Sequence, residues 1–211
     1  MLGFLAEHYP GVPIALHAGE LTLGLVPPEH LRFHIREAVE VAGARRIGHG
    51  VAISYEKDAL ELLNLMRQRN VLVEICLTSN DVILGVKGAE HPLPDYLQAG
   101  VPVTLASDDE GVSRIDLSHE YWRAATTYGL GYETLKTLAR NSLTYSFLAG
   151  QSLWQSTNPL RVIDACAADP LGSPHPFSAP CKAFLDKNEQ AKLQWKLERE
   201  FNDFERLPWW Q

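Results

Sequence analysis

Four short apolar runs punctuate the first half of the chain: Ile14 to Leu16, Arg46 to Gly48, Val71 to Leu77 and Val101 to Ala106. Each is followed by residues spaced for a helix. After the first, Pro28 suits a helix's opening turn, and Leu31, Ile35, Ala38 and Ala42 recur at helical spacing up to Gly43. After the second, Leu60, Leu63 and Arg67 mark one face of EKDALELLNLMRQRN, which Asn70 closes. HPLPDYLQAG follows the third run as a short helix ended by Gly100, and two helices divided near Gly129 and Gly131 follow the fourth. Strands this apolar, separated by helices, predict parallel βαβ units with the sheet covered on both faces, hence an α/β fold.

Beyond residue 150 the pattern changes. Residues 151 to 181 are richer in Pro, Ala and Ser and read as a connecting segment. KAFLDKNEQAKLQWKLEREFNDFERL then reads as one amphipathic helix with Leu193, Leu197, Phe201 and Phe204 on one face. The expected division is therefore an α/β region over residues 1–150, followed by a linker and helix over 151–211.

With 211 residues, 45% of them hydrophobic, the chain can bury a core for one domain or slightly more. A formal charge of −7 with no basic run argues against a nucleic-acid partner. No signal-peptide pattern and no long apolar stretch are seen, so no membrane association is expected. Three cysteines do not make an even disulfide framework, and Cys76 lies in an apolar run as an expected buried thiol. A reducing compartment, the cytoplasm, is the resulting expectation. Cys166, His175 and Cys181 lack a paired C-x-x-C and make a poor metal pattern.

Candidate chemistry appears where the apolar runs stop. The first ends in His17-Ala18-Gly19-Glu20, the second in Gly48-His49-Gly50, the third in Thr78-Ser79-Asn80 and the fourth in Ser107-Asp108-Asp109-Glu110. Parallel strands present their carboxyl ends on one face, so these clusters converge on one pocket. Imidazole and carboxylate from different strands suit zinc, which accepts both donors, and His17 and Asp108 take those roles. Asp109 then points elsewhere, available to anchor substrate. Taken singly, each residue has a plain structural reading: a hydrogen-bonded histidine, a capping glutamate, a solvated turn. Their joint occurrence at successive strand ends favours a site.

On the motifs HAGE (17–20), RIGHG (46–50), EICLTSN (74–80) and ASDDEGVSR (106–114), in this order, the sequence resembles the adenosine deaminases of the amidohydrolase superfamily over roughly residues 1–150. The resemblance implies a zinc site at the carboxyl-end face of a (βα)8 barrel and hydrolysis of the 6-amino group of a purine nucleoside, giving inosine and ammonia from adenosine. It makes His17 and Asp108 zinc ligands, Glu20 the proton donor to purine N1, and His49 the residue that orients or deprotonates the attacking water. It also makes Asp109 a substrate contact near N7. Gly19, close to His17, is read from the residues themselves as a place where substrate approaches the backbone closely. The alternative is an inactive purine-binding or assembly module derived from the same barrel.

One family element is missing: the H-x-H motif of the first barrel strand does not occur in the chain. The motifs present correspond to strands five to eight. The expectation is a partial barrel with two of the zinc ligands, a truncated gene product being the first explanation, and self-association through exposed half-barrel edges.

Overall fold

The computed structural model describes residues 2–157, 159–174 and 178–208, so His175 lies outside the described residues. It divides into two compact units, Met1–Asn141 and Ser142–Gln211.

The first unit opens with α1 (Leu2–His8) and then alternates strand and helix: β1 (Ala15–Ala18), α2 (His34–Glu40), β2 (Arg46–His49), α3 (Ala59–Gln68), β3 (Leu72–Ile75). It continues through α4 (Leu77–Leu84), α5 (Leu93–Ala99), β4 (Val103–Leu105), α6 (Glu110–Ser113) and α7 (Leu117–Tyr128), and α8 (Tyr132–Thr144) runs past the boundary, its last three residues belonging to the second unit. The strands form one parallel sheet in the order β1-β2-β3-β4, with His17 level with Gly48 and Glu74 level with Thr104. Spatial order equals chain order, so there is no strand reversal and every carboxyl end opens toward the same side. The predicted α/β class and all four strands are present.

Burial separates the two edges of the sheet. All of β4 and three of the four residues in each of β2 and β3 are buried, whereas β1 at one edge buries only Ala18. Ile47, Val73 and Ile75 meet Ile35 and Val39 of α2 and Leu62, Leu63 and Met66 of α3 in one core. The α3 face differs from its prediction by part of a turn. Leu60 is 78% exposed, because Leu62 and Met66, four apart, form with Leu63 the stripe that reaches the sheet. β3 also stops sooner than expected: Thr78, Ser79 and Asn80 form the first turn of α4 rather than the tail of a strand. Gly100, at φ +71°, closes α5 as its sequence implies.

The second unit carries its own core. A two-stranded antiparallel pair, β5 (Trp154–Thr157) and β6 (Leu160–Val162), precedes α9 (Ala179–Lys187) and α10 (Glu189–Glu205). Leu153, Trp154, Leu185, Ala191 and Trp195 pack around a Cys166–Cys181 disulfide, while Cys76 is free and buried. That pairing removes the cysteine argument for a reducing compartment, since disulfides persist in oxidising ones. The expected single helix breaks at the extended residue Asn188. Its buried face is also not the expected one: Gln190, Gln194, Trp195 and Glu198 point inward, whereas Phe204 is exposed. The two glutamines can be buried because they answer open backbone groups. Gln190 Nε2 donates to the carbonyls of Leu143 and Thr144, and Gln194 Oε1 accepts from the Leu153 N–H at 2.7 Å. Among the described residues no helix is long and apolar enough to cross a membrane.

Candidate active site

The ends of β1 and β2 bring three of the sequence-predicted residues together. His17 closes its apolar run on β1, and Gly19, at φ +68°, turns the chain so that Glu20 comes back beside it. His17 Nδ1 lies 3.6 Å from Glu20 Oε2, and His49 Nε2 lies 3.4 Å from Glu20 Oε1. The two imidazoles meet edge to face, their centroids 4.8 Å apart. Gly48 makes this possible: a Cβ there would stand 2.9 Å from His17 Cδ2. Gly50 does the same for Tyr96, whose hydroxyl donates to the Gly50 carbonyl at 2.7 Å. The glycines of RIGHG are therefore places where neighbouring side chains cross the backbone.

Gly19 has a structural duty of its own. Its left-handed backbone and a neighbour at 2.6 Å, Ile35 Cδ1, both exclude a side chain.

His49 itself holds φ +69° without being glycine, and Asp108 holds +56°. Such conformations are uncommon outside glycine, and here both fall at strand ends facing the site. Burial lowers the pKa of His49 from its ordinary value; the Glu20 carboxylate opposes this, His17 adds to it, and Asp108 and Glu74 oppose it.

Asp108 stands outside the His17–Glu20–His49 cluster and is exposed, with Ser79 Oγ donating to its Oδ2 at 2.8 Å. Asp109, also exposed, is the N-cap of the short α6. Ser79 is in turn held through α4, whose first turn α7 clamps. The fully buried Glu120 accepts the Thr78 N–H on both oxygens at 3.2 Å, and Arg123 reaches Thr78 Oγ1 and Asp81 Oδ2 at 3.2 and 2.7 Å. Burial within the sheet also raises the Cys76 thiol pKa, keeping it a thiol.

The ligand atoms of His17, Glu20 and His49 all lie within 4.8 Å of one another. Two donors about 2.1 Å from one ion stand at most about 4.2 Å apart, so the widest pair must draw in by roughly half an ångström. The donor types suit a borderline ion such as zinc, and the 68% exposed side chain of His17 has room to adjust.

One buried histidine escaped the sequence reading. His91, 2% exposed, heads α5 and connects through Asn80 to His49. Its signal was the His-Pro pair opening HPLPDYLQAG, where a helix start would place an imaginable cap; periodicity alone does not separate it from a surface histidine.

Sequential parallel strands whose carboxyl ends gather imidazoles and carboxylates define an α/β protein with its site at that face. The family profile described as adenosine deaminase matches residues 5–154, and the chain belongs to that family. An adenosine deaminase of Enterococcus faecalis is 38% identical over 139 residues, covering 65% of this chain and 38% of its own. Among solved structures, an adenine deaminase from Arthrobacter aurescens aligns with TM-score 0.56 at 27% identity, covering 70% of this chain and 42% of that one. An Arabidopsis N6-mAMP deaminase aligns with TM-score 0.56 at 30% identity, covering 71% of this chain and 41% of that one. The chain thus spans about two fifths of the length of these relatives.

Proposed function

We propose that this chain carries strands five to eight of a (βα)8 deaminase barrel and supplies part of a zinc site that hydrolyses the 6-amino group of a purine, adenosine being the leading substrate. The observation that carries the reading is the His17–Glu20–His49 cluster on adjacent strand ends, with Ser79–Asp108 on the same side of the sheet. His17 and Asp108 are the proposed zinc ligands. Bound zinc supplies Lewis acidity that makes water nucleophilic near pH 7.

The chain's own groups do the rest. Ser79 donates to Asp108 Oδ2 and so leaves Oδ1 as the available ligand oxygen. Glu20, in its acid form, hands a proton to purine N1, which draws electron density from C6 and opens it to attack. His49 holds the attacking oxygen in line from the buried side. Asp109, exposed at the head of α6, receives the purine at N7. The attacking water gives up two protons, one restoring Glu20 and one taken by the amino group, which departs as ammonia and leaves the 6-oxo purine.

Substrate identity is proposed from relatives of differing preference, whose names include adenosine, adenine and N6-mAMP deaminases. The exposed edge strand β1 supports pairing with a second chain. A second reading, a purine-binding module without turnover, is favoured by the count of ligands: His17 and Asp108 are two, and a catalytic zinc takes three from protein. Metal analysis after expression with zinc, combined with ammonia release from adenosine and adenine and methylamine release from N6-methyl-AMP, separates them. Stoichiometric zinc with release that vanishes in Asp108→Ala supports the deaminase. Purine binding with neither zinc nor ammonia establishes the module.

A further inference from the structure

His49 is held from behind by a chain of three hydrogen bonds whose direction is set by a backbone amide. The Leu93 N–H, the first of α5, points to His91 Nδ1 at 3.1 Å. A backbone N–H only donates, so that nitrogen accepts and the proton of a neutral His91 sits on Nε2. Burial, with the Arg123 charge adding to it, lowers the His91 pKa to about 4, which keeps the ring neutral. His91 Nε2 lies 3.0 Å from Asn80 Oδ1, so the Asn80 oxygen accepts there. The amide's other end, Nδ2, then donates to His49 Nδ1 at 3.1 Å. All three side chains are at most 2% exposed, and no link can be reversed without leaving the Leu93 N–H facing another donor.

We infer that His91 and Asn80 are positioning residues that fix His49 as its Nε2–H tautomer, so that this imidazole meets the reacting groups as a hydrogen-bond donor. Its Nε2 is the atom that faces Glu20 Oε1. A nitrogen that carries a proton neither binds a metal nor takes a proton from water. His49 is thereby separated in role from His17, although the two rings touch. Of the two roles open to it in the sequence, orientation is selected over deprotonation. The catalytic consequence rests on the deaminase reading; the tautomer does not.

The test is the 15N spectrum of histidine side chains in the full chain at neutral pH. The expected result for both His49 and His91 is a pyridine-type Nδ1 and a pyrrole-type Nε2. Asn80→Asp replaces the donating amide by an acceptor and should move the His49 proton to Nδ1 while His91 stays unchanged. His91→Gln, whose amide still donates to Asn80, should keep the wild-type His49 pattern, whereas His91→Ala should release it into a mixture. A wild-type His49 protonated at Nδ1 overturns the inference even if every variant fails to fold. So does an Asn80→Asp protein that unfolds cooperatively yet keeps Nε2–H. In the active enzyme Asn80→Asp should lower turnover about 10- to 100-fold, with recovery in His91→Gln relative to His91→Ala. The expected tautomer in a protein that never deaminates sinks the deaminase reading alone; the wrong tautomer in an active one sinks the relay alone.

Discussion

The ends of β1 and β2 carry histidines one step apart in register, in opposite surroundings. The His17 side chain is 68% exposed on an edge strand, with Glu20 as a close charged neighbour. His49 is 1% exposed, strained at φ +69°, and tied through Asn80 and His91 to the head of α5. An exposed imidazole loses little on gaining a ligand and little on losing one. A buried imidazole must have its hydrogen bonds answered inside the protein, and the groups that answer them decide which nitrogen faces the site. Contact between the rings therefore does not make them equivalent.

The largest effect that sharpens this contrast is His17→Ala. It should eliminate zinc and ammonia release while leaving the unfolding midpoint of the metal-free protein almost unmoved; metal analysis, and thermal unfolding in a chelator, check both halves. If the metal-free midpoint fell as well, the β1 end would be structural and the contrast would fail.

Next in size, Glu20→Gln should cut turnover roughly a hundredfold or more with zinc retained, as for loss of a positioned acid. Steady-state kinetics beside metal content would read it, and near-normal turnover would remove Glu20 from the chemistry.

The buried end should show itself in pH dependence. With the pKa of His91 at about 4 in the folded protein against 6.5 for the ordinary group, the unfolded chain binds more protons between those values. Stability is thus complete above about pH 6.5 and falls as pH drops toward 4, by up to about 3 kcal/mol. The lowered pKa of His49 adds in the same direction, whereas the raised pKa of Glu56 acts oppositely as pH rises past its ordinary value. Denaturant titrations across this range should show the acid loss in the wild type and a shallower one in His91→Gln. His17→Ala should flatten it only slightly, through the part of the His49 lowering that His17 supplies.

The smallest expected effect is Gly48→Ala. The added Cβ meets His17 Cδ2 at 2.9 Å, and an exposed ring can yield, so stability should change by less than about 1.5 kcal/mol. The displaced ligand should nevertheless weaken zinc affinity about tenfold, measurable by competition with a chelator. Unchanged affinity would mean that the ring angle at β1 is not set from β2.

Much of the fold was legible because burial imposes periodicity. The runs ending at Leu16, Gly48, Leu77 and Ala106 read as strands of a covered sheet, with HAGE, RIGHG and SDD at their ends. Leu60 and the far face of α10 were misread because both segments offer more apolar positions than one stripe can bury. Which stripe turns inward depends on the partner surface. At α10, two glutamines win burial over Phe204 because carbonyls and an amide N–H inside the second unit need partners.

The sequence by itself determined the fold class, the family and the set of polar residues that share one face, since apolar spacing and short motifs are local properties of the chain. Only the tertiary structure decided how those residues divide the work. The pairing of Cys166 with Cys181, the room that Gly48 leaves for His17, and the line from the Leu93 N–H through His91 and Asn80 to His49 each depend on where distant segments meet. Hydrogen-bond direction is a property of neighbours in space, and no spacing along the chain encodes it.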